Sequence, residues 1–119
     1  MKPEEILYSA LSGDLATTAI VGTKIYVDDA PQDIDAPLLV YQRDSTEPRN
    51  TIHGTKIGEF VTLAILAKAT TRKAAEDLAT TIDTPIRAAN FWKTEQVSGY
   101  EPDVDYHVVA IQYRYFDPE

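Results

Sequence analysis

The residues able to carry chemistry fall in three places, and the densest is the stretch Asp28–Pro37, DDAPQDIDAP. It holds four aspartates and two prolines in ten residues, between the apolar runs KIYV and LLVY. Calcium loops alternate carboxylates, turn on an obligatory Gly and close with a late bidentate Glu. Here Asp28 and Asp29 are adjacent, Asp33 and Asp35 follow, and the stretch lacks both Gly and Glu. The spacing therefore fits a solvated connection or an acidic contact better than a metal site, and we expect no metal. His53 and His107 are the only histidines, and neither has a nucleophile or carboxylate at a spacing that would make a catalytic pair. Gly54 and Gly58 are close together but match no phosphate-binding pattern. No catalytic residue and no cofactor follow from these motifs.

Composition narrows the classes further. The 119 residues suit one domain with a sizeable core, and the apolar share of 44% is ordinary for a globular chain. Net charge is −8, and the basic residues are scattered, with Arg72-Lys73 the densest pair and Arg87 and Arg114 isolated. Wrapping of nucleic acid relies on clustered Lys and Arg, so that class is disfavoured. Tyr106, Tyr113, Tyr115 and Phe116, with Trp92, could form a base-stacking platform, but they lack basic neighbours and suit a sheet as they stand. With no cysteine, disulfides and thiolate metal sites are excluded. The N-terminus is too acidic for a signal peptide and no apolar run reaches membrane-spanning length. We expect folding in the cytoplasm of whatever cell makes it and no membrane partner.

The elements that would position these residues read as follows. Pro3-Glu4-Glu5 starts a helix carrying Ile6, Leu7, Ala10 and Leu11, and Asp14 caps a second turn that stops at Gly22. Lys24–Val27 and Leu38–Arg43 read as strands. Residues 45–58 contain Pro48, Asn50, Gly54 and Gly58 and keep neither period, which predicts a long flexible loop. Glu59–Lys68 is the strongest strand and is apolar on both sides, which predicts cover on both faces. A helix from Thr70 or Thr71 should end or kink near Asp83 because of Pro85, with Thr84 capping a further turn. Phe91–Val97 and Val104–Phe116 complete the set, with Ser98–Pro102 as the turn. In the last strand His107, Val109, Ile111, Tyr113 and Tyr115 should share one face. Short links within each strand group predict antiparallel hairpins. The expected class is α+β: a mostly antiparallel sheet of about five strands with two main helices packed on it.

The whole chain resembles the small tail-completion and tail-terminator proteins of long-tailed bacteriophages and prophages. The resemblance rests on LATTAIVGTKIY, then Gly22, Ile25, Tyr26, Ala30, Pro31, Gln32, Pro37, Val40 and Tyr41 in the order G-x-x-I-Y, A-P-Q, P-x-x-V-Y. The strand VTLAIL, the helix AAEDLATTIDTPI and the strand HVVAIQYRY follow in the same order. Asp83-Thr84-Pro85 departs from the pattern. The resemblance implies a non-enzymatic virion protein of the tail–neck region, forming a homo-oligomer, usually a hexameric ring. Such a ring ends the tail tube, contacts the major tail tube protein below and a head–tail connector or neck protein above, and lets viral DNA pass its lumen. A head-completion or neck adaptor, or another small prophage-encoded binding module, is the alternative. On the sequence, Arg49, Asn50, His53 and Lys56 form a locally basic group for subunit or tail contacts, and Asp33 and Asp35 an acidic one.

Overall fold

Pro3 in the first turn and the carboxylates of Glu4 and Glu5 open helix α1 (Pro3–Ser12), which buries Leu7 and Leu11 completely. A computed structural model describes residues 2–28, 36–50, 54, 56–102 and 105–118, with the backbone course at 49, 50, 56 and 57. Asp14 caps α2 (Leu15–Val21), accepting from the Thr17 amide at 3.0 Å and from the Thr17 hydroxyl at 2.7 Å. That second bond satisfies Thr17, the one fully buried polar residue among the described residues apart from the tyrosine of the core. Gly22 ends the helix with φ 63°, a backbone angle that favours glycine.

The strands are β1 (Ile25–Val27), β2 (Leu38–Asn50), β3 (Lys56–Ala69), β4 (Trp92–Glu101) and β5 (Tyr106–Pro118). They form one sheet in the order β1-β2-β3-β5-β4. This is the α+β class expected, but β1 lies parallel to β2, with Ile25 beside Leu39, where a hairpin was anticipated. Only three residues long, β1 can be followed by a short return to its own starting end, so the link between the two strands need not contain a helix. The other three pairings are antiparallel.

Helix α3 (Arg72–Ala88) starts on Thr71, whose hydroxyl oxygen accepts from the Ala74 amide at 3.1 Å. It buries Ala75, Leu78, Ala79, Ile82 and Ile86 on one stripe. The expected break at Pro85 does not occur. Ile82 and Ile86 are both fully buried on either side of it, and Arg87 clasps Asp83 across one turn at 2.7 Å. Packing thus outweighs the loss of one backbone donor. Asn90, in the left-handed region at φ 72°, then turns the chain into β4.

All three helices contribute to one core with Val61, Leu63, Ile65, Ala67 and Ala69 of β3 and Val109, Ile111 and Tyr113 of β5. The face shared by His107, Val109, Ile111, Tyr113 and Tyr115 is therefore the helix-facing one. Each fully buried Leu or Ile there contributes about 1.5–3 kcal/mol of transfer free energy. Among the described residues the helices occupy one side of the sheet only, so no helix covers the second face of β3, although Ala64 is buried there together with Leu38 and Val40 of β2 and Val108 of β5. The opposite face carries Phe60, Thr62, Leu66 and Lys68 at intermediate exposure.

The largest departure concerns residues 45–58. The loop expectation is overturned: β2 continues to Asn50 and β3 starts at Lys56, so most of the segment is an antiparallel ladder. Register shifts after Arg43 and Arg49 absorb its irregularities. Likewise Ser98–Glu101 belongs to β4, and the turn begins at Pro102. The long strands stretch the molecule to 51 × 28 × 23 Å.

Candidate interaction surface

The helix-free side of the sheet collects residues that alternate with the core. Cross-strand register sets Trp92 beside Arg114, Arg114 beside Thr62, and Phe60 beside Phe116. The Phe60 ring stands 6.1 Å from Trp92, edge-on, and 5.1 Å from Phe116. The Arg114 guanidinium lies 4.5 Å over Phe60 and donates to Glu47 at 2.7 Å. Gln112 donates to Asp44 at 3.0 Å, and Lys68 pairs with Glu101 at 2.9 Å. Strands β2, β3, β5 and β4 are thus laced across one surface by side chains with no helix above them. The Nε of Arg114 is buried without a hydrogen-bond partner among the described residues.

Gly58 lets β3 approach β5 at the far end of this face. A Cβ there would stand 2.6 Å from the Phe116 ring and 2.8 Å from the Asp117 carbonyl oxygen. The edge strand β4 is exposed along nearly all its length, and Trp92, Val97 and Tyr100 remain 41%, 54% and 51% accessible. Trp, Tyr, Phe and Arg dominate the energetically important centres of protein interfaces. Trp92, Phe60, Phe116 and Arg114 give the helix-free face residues of that kind.

Other chemistry is thinner. A concavity of about 330 Å³ lies between α3 and the β4–β5 hairpin, lined by residues including Arg72, Ser98, Tyr100 and His107. The His107 ring packs 5.0 Å from Tyr100, whose hydroxyl donates to Asp105. That bond raises the Tyr100 phenol above its ordinary pKa. Among the described residues no acid or nucleophile is hydrogen-bonded to His107, and no three acidic or histidine side chains converge on a metal position. Burial, then the hydrogen bond to Asp83, pushes the Tyr113 phenol far up. Burial, with the charges of Glu4 and Asp28 nearby, also raises Tyr41. All three tyrosines are neutral donors or core residues at neutral pH, and Tyr113 and Tyr41 do not line the concavity that Tyr100 does.

The expected contact residues separate into two sets. Arg49 and Asn50 end β2 and Lys56 begins β3, where Arg49 pairs with Gly58 and Asn50 with Lys56. They therefore stand together at the far end of one hairpin. His53, Asp33 and Asp35 lie outside the described residues, as do Asp29–Asp35 generally. The aromatic group singled out in the sequence divides: Tyr113 and Tyr115 face the helices, while Trp92 and Phe116 meet Phe60 on the bare side. Phe60 and Glu47 were missed. The even-numbered alternation of Phe60, Thr62, Ala64 and Leu66 was the signal that could have placed Phe60 there.

What these observations define is a small α+β protein with its helices on one side and an interface-like sheet face on the other. A family model for tail completion protein gp17 matches residues 5–116, and the chain belongs to that family. It is accordingly a structural component of a phage-type tail, and no helix among the described residues is long and apolar enough to cross a membrane. The fold is similar to that of a chain in a solved structure described as the virion of a native gene transfer agent particle. The two superpose with a TM-score of 0.77 at 16% identity, over 98% of this chain and 95% of that one. Among curated proteins, none matches the sequence.

Proposed function

We propose that the protein forms a ring, of six copies, on the end of the tail tube, stops tube polymerisation there and joins the tail to the head. The observation that carries this reading is the bare sheet face with Trp92, Phe60, Phe116 and Arg114, on a subunit whose family completes tails. A closed ring needs two unlike contact surfaces per subunit. The helix-free face with its exposed β4 edge and the far end of the β2–β3 hairpin supply two such regions. Arg49, Asn50 and Lys56, with His53, would then contact a neighbouring subunit or the tube protein, and Asp33 and Asp35 a neck or tube partner. The net charge of −8 suits a lumen that viral DNA passes without adhering.

Deletion of the gene from a phage that carries it tests the reading. A terminator predicts tails of uncontrolled length, unattached to heads, with a ring missing from the tail end in electron micrographs. Tails of normal length that merely fail to join heads would replace termination with a neck-adaptor role.

A further inference from the structure

The sheet has two unlike free edges, and their directions match. At one side β1 pairs only with Leu39, Val40 and Tyr41 on its side of β2, and the amide of Asp28 extends that contact by a bond to the Tyr41 carbonyl. Beyond it, among the described residues, nothing pairs with the outer edge of Gln42–Asn50. At the other side, among the described residues, β4 pairs with β5 alone, leaving Trp92–Glu101 open along its outer edge. Ten residues of unpaired strand are a template for another strand.

Strand direction alternates from β2 through β3 and β5 to β4, since each of these pairings is antiparallel. A second copy set beside β4 in the same orientation therefore presents its β2 antiparallel to β4. The heights agree as well. Through the register, Trp92 lies level with Arg114, Thr62 and Ser45, and Glu95 level with Gln112, Ala64 and Gln42. The open parts of the two strands thus share the heights of Trp92–Glu95 and Gln42–Ser45, while Gln96–Ser98 is level with the stretch of β2 that β1 covers. A stagger of the kind that closes any barrel would lengthen the overlap.

We infer that neighbouring copies join by pairing β4 of one with the Gln42–Glu47 edge of the next, so that the sheets run continuously around the assembly. Pro48, which cannot donate, limits the ladder on the β2 side. Because the two edges differ, the contact is heterologous and propagates head to tail until the rotation closes it. Main-chain hydrogen bonds across β4 then replace the water now facing its open groups. This inference rests on the proposed ring.

The absence of native cysteine makes a clean test possible. Within one chain β2 and β4 are separated by β3 and β5, three strand spacings or roughly 14 Å. A disulfide needs Cα atoms within about 7 Å, so a β2–β4 bridge must join two copies. Glu95→Cys would be combined in turn with Gln42→Cys, Ser45→Cys and Glu47→Cys, the fold checked by circular dichroism, and the protein oxidised with diamide after assembly. The expected result is a ladder on a non-reducing gel from dimer up to the ring's full copy number for at least one pair. Amide exchange across Trp92–Val97 should also slow by about tenfold or more on assembly. Rings in electron micrographs with no ladder from any pair, and unchanged exchange in β4, would overturn edge pairing and leave the ring standing. Cross-links that stop at a dimer, also given by Glu95→Cys alone, would mean a symmetric β4–β4 contact and overturn it too. Tail ends that carry no ring would remove both readings.

Discussion

Tyr113, fully buried in the sheet, donates a 2.7 Å hydrogen bond from its hydroxyl to Asp83 on α3. Asp83 in turn holds Arg87 at 2.7 Å through its other oxygen. The pair ties β5 to the helix in the stretch where Pro85 would otherwise loosen it. Burial and the adjacent carboxylate hold the phenol's pKa far above that of an unfolded tyrosine. Tyr113→Phe should cost about 1.5–3 kcal/mol in urea unfolding, the scale of a hydrogen bond to a charged group. The pH dependence has a fixed sign. A raised folded pKa gives stability that is complete below about pH 10, the unfolded value, and is lost as pH rises above it. Tyr113→Phe should flatten part of that alkaline decline. An alkaline profile identical to wild type would show that Tyr113 is not its source.

Pro85 itself gives a second prediction. Substitution by Ala restores a backbone donor in the last turn of α3 and relieves the crowding of the preceding turn. A mid-helix proline costs roughly 3 kcal/mol relative to Ala, and a site this near the end should recover about 1 kcal/mol. Pro85→Ala is therefore expected to raise the thermal midpoint by a few degrees. A lower midpoint would mean that ring packing beside Ser9, Ala10 and Ala89, which share its cleft, outweighs the helix term.

Gly58 predicts a cost at the other end of the sheet. With the Phe116 ring and a backbone oxygen both within 3 Å of where a Cβ would stand, Gly58→Ala must spread β3 from β5. Overpacking of this kind costs about 1–3 kcal/mol. Chemical denaturation gives the magnitude, and proteolysis would show whether cleavage concentrates in the 45–58 hairpin. Unchanged stability and cleavage would indicate that the strands end short of Gly58.

These residues also show how much of the fold was legible beforehand. The stripe Ala75, Leu78, Ala79, Ile82, Ile86 and the alternation Val61, Leu63, Ile65 are local periods set by burial, so α3 and β3 could be read directly. The 45–58 hairpin could not. Pro48 and Gly58 look like breakers along the chain, but one sits on an edge strand that tolerates it and the other is required by Phe116 across the ladder. The parallel setting of β1 was hidden because a three-residue strand carries no signal for its partner's direction. Loss of helix cover on one side of β3 was hidden for a different reason. Phe60 and Leu66 look alike in sequence whether a helix or another protein covers them. Of the expected contact residues, Arg49, Asn50 and Lys56 are neighbours along the backbone ladder of β2 and β3. The aromatic surface emerged only once register set Phe60 beside Phe116 and brought Trp92 onto the same face.

That surface separates stability from assembly in one substitution. Trp92 is 41% exposed on an edge strand and meets Phe60 edge-on, so its removal takes little from the core. Trp92→Ala should lower monomer stability by about 1 kcal/mol or less, the range of one aromatic pair. If the bare face is an interface centre, the same change should weaken subunit or tail association by about 2 kcal/mol or more, roughly thirtyfold. Val97→Ala, exposed on the same strand but outside the aromatic cluster, should change association much less. Complementation of a gene-deleted phage with each variant, scored by the fraction of tails joined to heads, provides the comparison. Equal defects from Trp92→Ala and Val97→Ala would point to the backbone of β4 and not to the aromatic cluster as the source of binding energy. A full complement from Trp92→Ala would remove this face from the assembly contacts altogether.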